Sequence, residues 1–314
     1  MFTINREFNQ AFGKIFLGDN TTGCKAEILP SCGAILNAFE FQKDGERINV
    51  IQGYDSHDDF RNNVETKGFR GCKLSPFVCR LKDARYSWLG QNYVVDKYYS
   101  NKDALHGLIY DMRFEVEEEF AGEDCARIVL QYEYRADSPG YPFKYSCRVT
   151  YELMRNCELR LTTTITNNDY QPMPIADGWH PYFTLGGKID EWTLQLPQAK
   201  HVLMKELIPT GEMEETNRFR SPESLAGIEL DDCFFVGEHS AAAYLRNDNK
   251  GIGVEIIPIK NYPFMQLYTP AHRNSIAIEN LSSAPDSFNN KLGLSSLTTG
   301  DEISFVAAYK IFSF

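Results

Sequence analysis

The chain has 314 residues, 43% hydrophobic and 24% charged, a composition that supplies ample core material and excludes intrinsic disorder. Its formal net charge of -11 repels phosphate backbones and argues against a nucleic-acid partner; a neutral or cationic small ligand fits better. No apolar run approaches the roughly 18 residues of a transmembrane helix, so no membrane partner is expected.

The opening "MFTINREFNQ" lacks a basic segment followed by an apolar stretch, so no signal peptide is expected and a cytoplasmic location is the default. Cysteines at 24, 32, 72, 79, 125, 147, 157 and 233 are scattered without any CxxC, which predicts reduced, mostly buried thiols. Neither HExxH nor a clustered Cys/His set occurs, so no metal site is expected.

Residues 52 to 106 read as a long loop. In "ARIVLQYEYRA" that follows, Ile128, Leu130, Tyr132 and Tyr134 share one side and Arg127, Gln131, Glu133 and Arg135 the other, the period of a half-buried strand. "KYSCRVTYELM" repeats this, with Tyr145, Cys147, Val149, Tyr151 and Leu153 on one side, and "ELRLTTTITNND" again with Leu159, Leu161, Thr163 and Ile165. "RNCE" between the last two has hairpin length, so three consecutive antiparallel strands are predicted.

Further strands are predicted at "EWTLQLP", "GVEIIPI", "FMQLYTP", "SIAIENL" and "EISFVAAYKIF", separated by Gly, Pro, Asn and Asp clusters. Residues 205 to 232 read as a second long loop, within which Ser221 and Pro222 of "SPESLAGIEL" predict the start of a short helix. No repeat, low-complexity segment or linker divides the chain. The expectation is mainly β: one large antiparallel β-sandwich domain over residues 1 to 314 with a few short helices.

Four stretches set an ionisable group in a Gly, Pro or aromatic frame: "NKDALHGLIYD" with His106, "ADGWHPYF" with His180, "GIELDDCFF" with Asp231 and Asp232, and "NSIAIENLSSAPDSFN" with Glu279. Pro181 pushes His180 toward extended geometry, so its ring is aimed. Two readings stand for it, a core histidine with a backbone partner or a proton carrier held over a ligand. Glu279 alternates with Ile276 and Ile278, which puts its carboxylate on the opposite face, either solvated or shared with the histidines. Asp232 reads equally as a turn residue, and His106 as the residue before a turn glycine. His57, His201, His239 and His272 read as surface or loop residues.

Taken in order, "ILPSCGAILNAFEF", "SPFVCRL", "LHG", "GWHPYF", "LDDCFF", "QLYTP" and "IAIEN...PDSFN" resemble the aldose 1-epimerase (galactose mutarotase) family over nearly the full length. The resemblance implies a β-supersandwich that interconverts sugar anomers without a cofactor, acting on a monosaccharide as monomer or homodimer. It implies Glu279 as the catalytic carboxylate, His180 as the general acid and His106 as a second histidine beside the sugar. Arg80, Asp232 and Gln266 would take hydroxyls, while Trp179 and Tyr182 would fix the imidazole and supply an aromatic wall. His180 would be held as imidazolium by the nearby carboxylate.

Two positions depart from the family pattern: Cys79 stands where Asn often precedes the arginine, and Asn280 where Pro often follows the carboxylate. A hexose-6-phosphate epimerase of the same superfamily would draw on Arg70, Arg80 and Arg85. A carbohydrate-binding protein without turnover would need neither Glu279 nor His180.

Overall fold

In this computed structural model the described residues are 1–7, 13–238 and 241–314. The alternating runs in the middle of the chain form the spine of a nine-stranded antiparallel sheet. Cys125–Tyr134, Tyr145–Met154 and Glu158–Asn167 pair in sequence, and the last continues through Glu302–Ser313 to Ile252–Lys260. Ile128 lies opposite Tyr151 and Leu130 opposite Val149; Tyr151 in turn faces Leu161, and Leu161 faces Ala307. The register therefore joins the apolar sides of successive strands into one continuous face.

A second, eight-stranded sheet runs in the order Ile208–Thr216, Ala199–Lys205, Asp231–Phe235, Phe264–Tyr268, Ile276–Leu281, Gly178–Trp179 and Lys73–Leu74, with Tyr182–Phe183 also on Ile276–Leu281. Its inner face gives Phe234, Met265, Leu267, Ile276 and Ile278 to the same buried cluster as Tyr151, Leu161, Phe305 and Ala307 of the nine-stranded sheet. A five-stranded sheet from residues 2 to 49 adds Leu17, Ala26, Ile28 and Phe39 to that cluster. The mainly β, antiparallel sandwich expected from the alternation is what the chain forms.

Each predicted strand is present, and "RNCE" makes the turn between its two, with Asn156 at φ 61°. The predicted helix at residues 221 to 230 is absent. Glu223–Ser224 instead pairs with Thr193 and Leu194, and the Leu225 amide donates to the Trp192 carbonyl at 3.0 Å. A sheet edge has taken the backbone groups that a helix would have used, and Gly227 at φ 70° turns the chain away. The capped helix lies earlier, at His57–Asn63, where Ser56 Oγ accepts from the Asp59 amide at 3.0 Å. Among the described residues no helix is long and apolar enough to cross a membrane.

Candidate active site

The outer face of the eight-stranded sheet carries the site. Within Ile276–Leu281, strand alternation turns Ala277 and Glu279 away from the buried isoleucines. Gln266 lies directly opposite Glu279 on one neighbouring strand, and Tyr268 of that strand lies opposite Asp231 on the next. Three adjacent strands thus bring Glu279, Gln266 and Asp231 to one side, where they line a cavity of about 300 Å³. Gln266 Nε2 donates to Asp231 Oδ1 at 2.8 Å, leaving its buried Oε1 without a protein partner.

His180 enters between the short strands Gly178–Trp179 and Tyr182–Phe183. Its amide donates to the Cys72 carbonyl at 3.0 Å and its carbonyl accepts from the Gly71 amide at 2.8 Å, so the backbone is held on both sides. The Tyr182 ring lies flat on the imidazole, 5.2 Å between centroids and 8° between planes. His180 Nε2 is then 3.3 Å from Glu279 Oε1, with both side chains buried, at 6% and 2% exposure.

His106 meets His180 edge to face at 5.0 Å and packs on Phe69 at 4.6 Å. Its backbone is left-handed, φ 61°, and Gly107 follows at φ 78°. A Cβ on Gly107 would stand 2.2 Å from the Ser75 carbonyl oxygen, so only glycine lets the His106 loop come this close. Arg80, Cys79, Tyr98, Leu105, Met204 and Leu207 complete much of the wall.

Of the residues singled out in the sequence, Glu279, His180, His106, Arg80, Gln266 and Tyr182 line the cavity together. Asp232 and Trp179 do not, and for Asp232 the neighbouring residue stands in its place. Asp232 bonds His201 Nε2 at 2.9 Å and approaches Arg218 at 3.7 Å, while Asp231 takes the cavity position. Trp179 points the opposite way from its neighbour His180, into the core against Tyr151, with Lys73 Nζ 4.4 Å above its ring. In an extended segment adjacent side chains leave on opposite faces, and only the register shows which parity meets Glu279. His201 is therefore a half-buried strand residue; His57 opens a helix, His272 is exposed beside Arg70, and His239 lies outside the described residues.

An ion pair that the motifs did not suggest lies behind this segment. Lys73 Nζ sits 2.5 Å from the Asp177 carboxylate with both side chains fully buried, and Tyr262 donates its hydroxyl to Asp177 at 2.6 Å. A lysine in the apolar "GCKLSPF" and an aspartate three residues before His180 were the available signals.

Burial sets the protonation of the site. It pushes His180 down to about 4 and lifts Glu279 well above the usual carboxyl range, with the charge of Asp231 adding to the rise. His106 is held well below the imidazole range by burial, then by the charges of His180 and Arg80. The unliganded pair Glu279–His180 therefore favours its uncharged form, with one proton on the carboxyl. This reverses the expected imidazolium, because desolvation acts against both charges and outweighs their attraction across 3.3 Å. Asp231 is also raised by burial, against the pull of Arg80 and Gln266. Among the described residues no group of three His, Cys, Asp or Glu could hold a metal ion.

The aldose 1-epimerase family model matches residues 14–310. An uncharacterised Escherichia coli protein, YihR, is 24% identical over 238 residues, covering 73% of this chain and 75% of its own. The fold is similar to a galactose mutarotase-like protein from Clostridium acetobutylicum, with TM-score 0.88 and 17% identity over 100% of this chain and 99% of that one. It is also similar to galactose 1-epimerase from Lactobacillus acidophilus, with TM-score 0.82 and 17% identity over the same shares. The family match spans nearly all of a β-sandwich whose buried carboxylate and histidines face one cavity, and the chain belongs to the aldose 1-epimerase family.

Proposed function

We propose that the protein interconverts the α and β anomers of a free, uncharged aldose. The observation that carries this is the Glu279–His180 contact of 3.3 Å between a buried carboxyl and a buried imidazole that both line the cavity. Opening a cyclic hemiacetal needs a base at the C1 hydroxyl and an acid at the ring oxygen, so that charge does not accumulate on one side.

Transfer of the shared proton to His180 arms both groups. Glu279 takes the C1 hydroxyl proton, His180 gives its proton to the ring oxygen, and the bond between C1 and that oxygen breaks to leave the open-chain aldehyde. The pair now holds its proton on the carboxyl again, the form that burial favours, so the opened stage carries no charge separation in the low-dielectric site. Rotation about C1–C2 and the reverse transfers close the other anomer. His106, kept neutral, can donate or accept a hydrogen bond beside the ring oxygen without adding a charge. Arg80, Asp231 and the unpartnered Gln266 oxygen are matched to sugar hydroxyls, and Tyr182, Met204 and Leu207 to the apolar face of the ring.

Arg80 is the cation among the described lining residues, which also include the acidic side chains Glu65, Asp231 and Glu279. Arg85 is exposed, and Arg70 is engaged behind Tyr182, 5.9 Å from that ring, so neither offers a phosphate seat in the cavity. This favours a free sugar over a hexose 6-phosphate. The test is polarimetric: freshly dissolved α-D-galactose or α-D-glucose should reach anomeric equilibrium faster with the protein. Acceleration of glucose 6-phosphate alone would reject the free-sugar reading, and no acceleration of any aldose would reject catalysis.

The rate should peak where the pair holds one proton. It falls in acid as His180 also protonates near 4, and in alkali once Glu279 loses its proton, at a pH well above an ordinary carboxyl. A rate profile still climbing below pH 4 would contradict this. The two aspartates separate cleanly: Asp231→Asn should raise KM roughly 10- to 100-fold through a lost charge-assisted hydrogen bond. Asp232→Asn should leave KM near the natural value, because its partners are His201 and Arg218 outside the cavity.

A further inference from the structure

We propose that the Cys79 thiol is a positioning residue for Glu279, donating its S–H to the carboxyl oxygen that His180 does not use. The role rests on the reaction proposed above only for its kinetic consequence, not for its geometry. Cys79 Sγ stands 3.9 Å from Glu279 Oε2, while Oε1 faces His180 at 3.3 Å, so each oxygen has its own partner. Gln266, directly opposite Glu279 on the neighbouring strand, has its Nε2 committed to Asp231. Without the thiol, Oε2 would be a bare acceptor in a buried site.

The backbone holds the sulfur in place. Cys79 is left-handed at φ 48°, and its carbonyl accepts the His106 amide at 2.9 Å, which ties the thiol to the loop that carries the second histidine. Burial, then the charge of Glu279, raises the Cys79 thiol well above its ordinary range, so it stays protonated and does not compete for the moving proton. Glu279 is faced by His180, Asp231, Cys233, Tyr182 and Tyr309. Among these groups and Cys79, the Cys79 thiol is the one that hydrogen-bonds the Glu279 carboxyl outside the His180 contact. A donor to the charged form lowers a carboxyl pKa, and thus offsets part of the rise that burial causes. A weak thiol donor steadies the carboxylate while leaving it able to take a proton.

The test needs no substrate. Infrared titration of the intact protein would follow the Glu279 carboxyl band, assigned by its loss in Glu279→Gln, and the Cys79 S–H band, assigned by its loss in Cys79→Ala. In the natural chain the S–H band should move to higher frequency as Glu279 protonates, with the same midpoint. Cys79→Ala should shift the carboxyl midpoint upward, and Cys79→Ser, which restores a donor, should bring it back toward the natural value. An S–H band that stays fixed through the Glu279 titration, or a midpoint unmoved in Cys79→Ala, would overturn the proposal. Where Cys79→Ala does not fold, the loss of the band in Cys79→Ser assigns the S–H stretch and the S–H arm decides alone. Thiol-dependent titration with no aldose turnover would reject the reaction and keep the thiol's role; turnover with a thiol-independent titration would do the reverse.

Discussion

Glu279→Gln and His180→Asn are each expected to slow anomer interconversion by roughly 10²- to 10⁴-fold, the range that a positioned proton carrier contributes. Glu279→Gln keeps the shape of the side chain, His180→Asn leaves a smaller polar one, and each removes the group that moves the proton. Since one proton passes between the two, the losses should not add: the double variant should be about as slow as the slower single one. Polarimetry with galactose or glucose reads the rate, and thermal unfolding shows that the fold is intact. Full activity in either variant would remove Glu279 and His180 from the chemistry.

The largest effect on stability is expected at the ion pair behind the site. Lys73→Met leaves the fully buried Asp177 without its cation, and Asp177→Asn leaves the buried Lys73 ammonium without its anion. Removing one member of such a pair costs about 3–5 kcal/mol, because the survivor stays desolvated and uncompensated. The double variant Lys73→Met/Asp177→Asn should recover much of that loss. Urea midpoints for the three variants measure this, and a loss under about 1 kcal/mol in both single variants would show the pair to be less isolated from water than its burial indicates. The same pair steadies the strand that leads into His180. Asp177 also accepts from Tyr262, and its amide donates to Ser282 Oγ at 2.8 Å, so the approach to the imidazole is tied on several sides.

Much of the sandwich was legible because its strands are half-buried. Runs such as Tyr145–Met154 alternate strictly, and their pairing follows from one short turn. The N-terminal sheet was not legible in this way, since Lys14–Asp19 is enclosed on both sides and Glu46–Asn49 is too short to show a period. The capping signal at Ser221 was real chemistry in the wrong surroundings, overridden by an open sheet edge at Trp192 and Thr193.

Within the site, residue types were readable and parity was not. Asp231 and Asp232 differ only in which face of a strand they leave, and that is decided by their register with Phe264–Tyr268. Trp179 lost its place in the cavity wall for the same reason. The protonation of Glu279 and His180 was out of reach because it depends on how much water the folded chain removes from them.

The strand that bears Glu279 is buried at every position from Ile276 to Leu281 and is flanked by partners on both sides. The Glu279 carboxyl therefore belongs to a strand paired on both sides, not to a loop that opens independently. Fluctuations that would misplace it must first break cross-strand bonds shared with the core, so Glu279 has no low-energy local unfolding of its own. Activity and tertiary structure should then disappear in the same cooperative step as denaturant is raised, with the protein competent almost to the edge of its folded range.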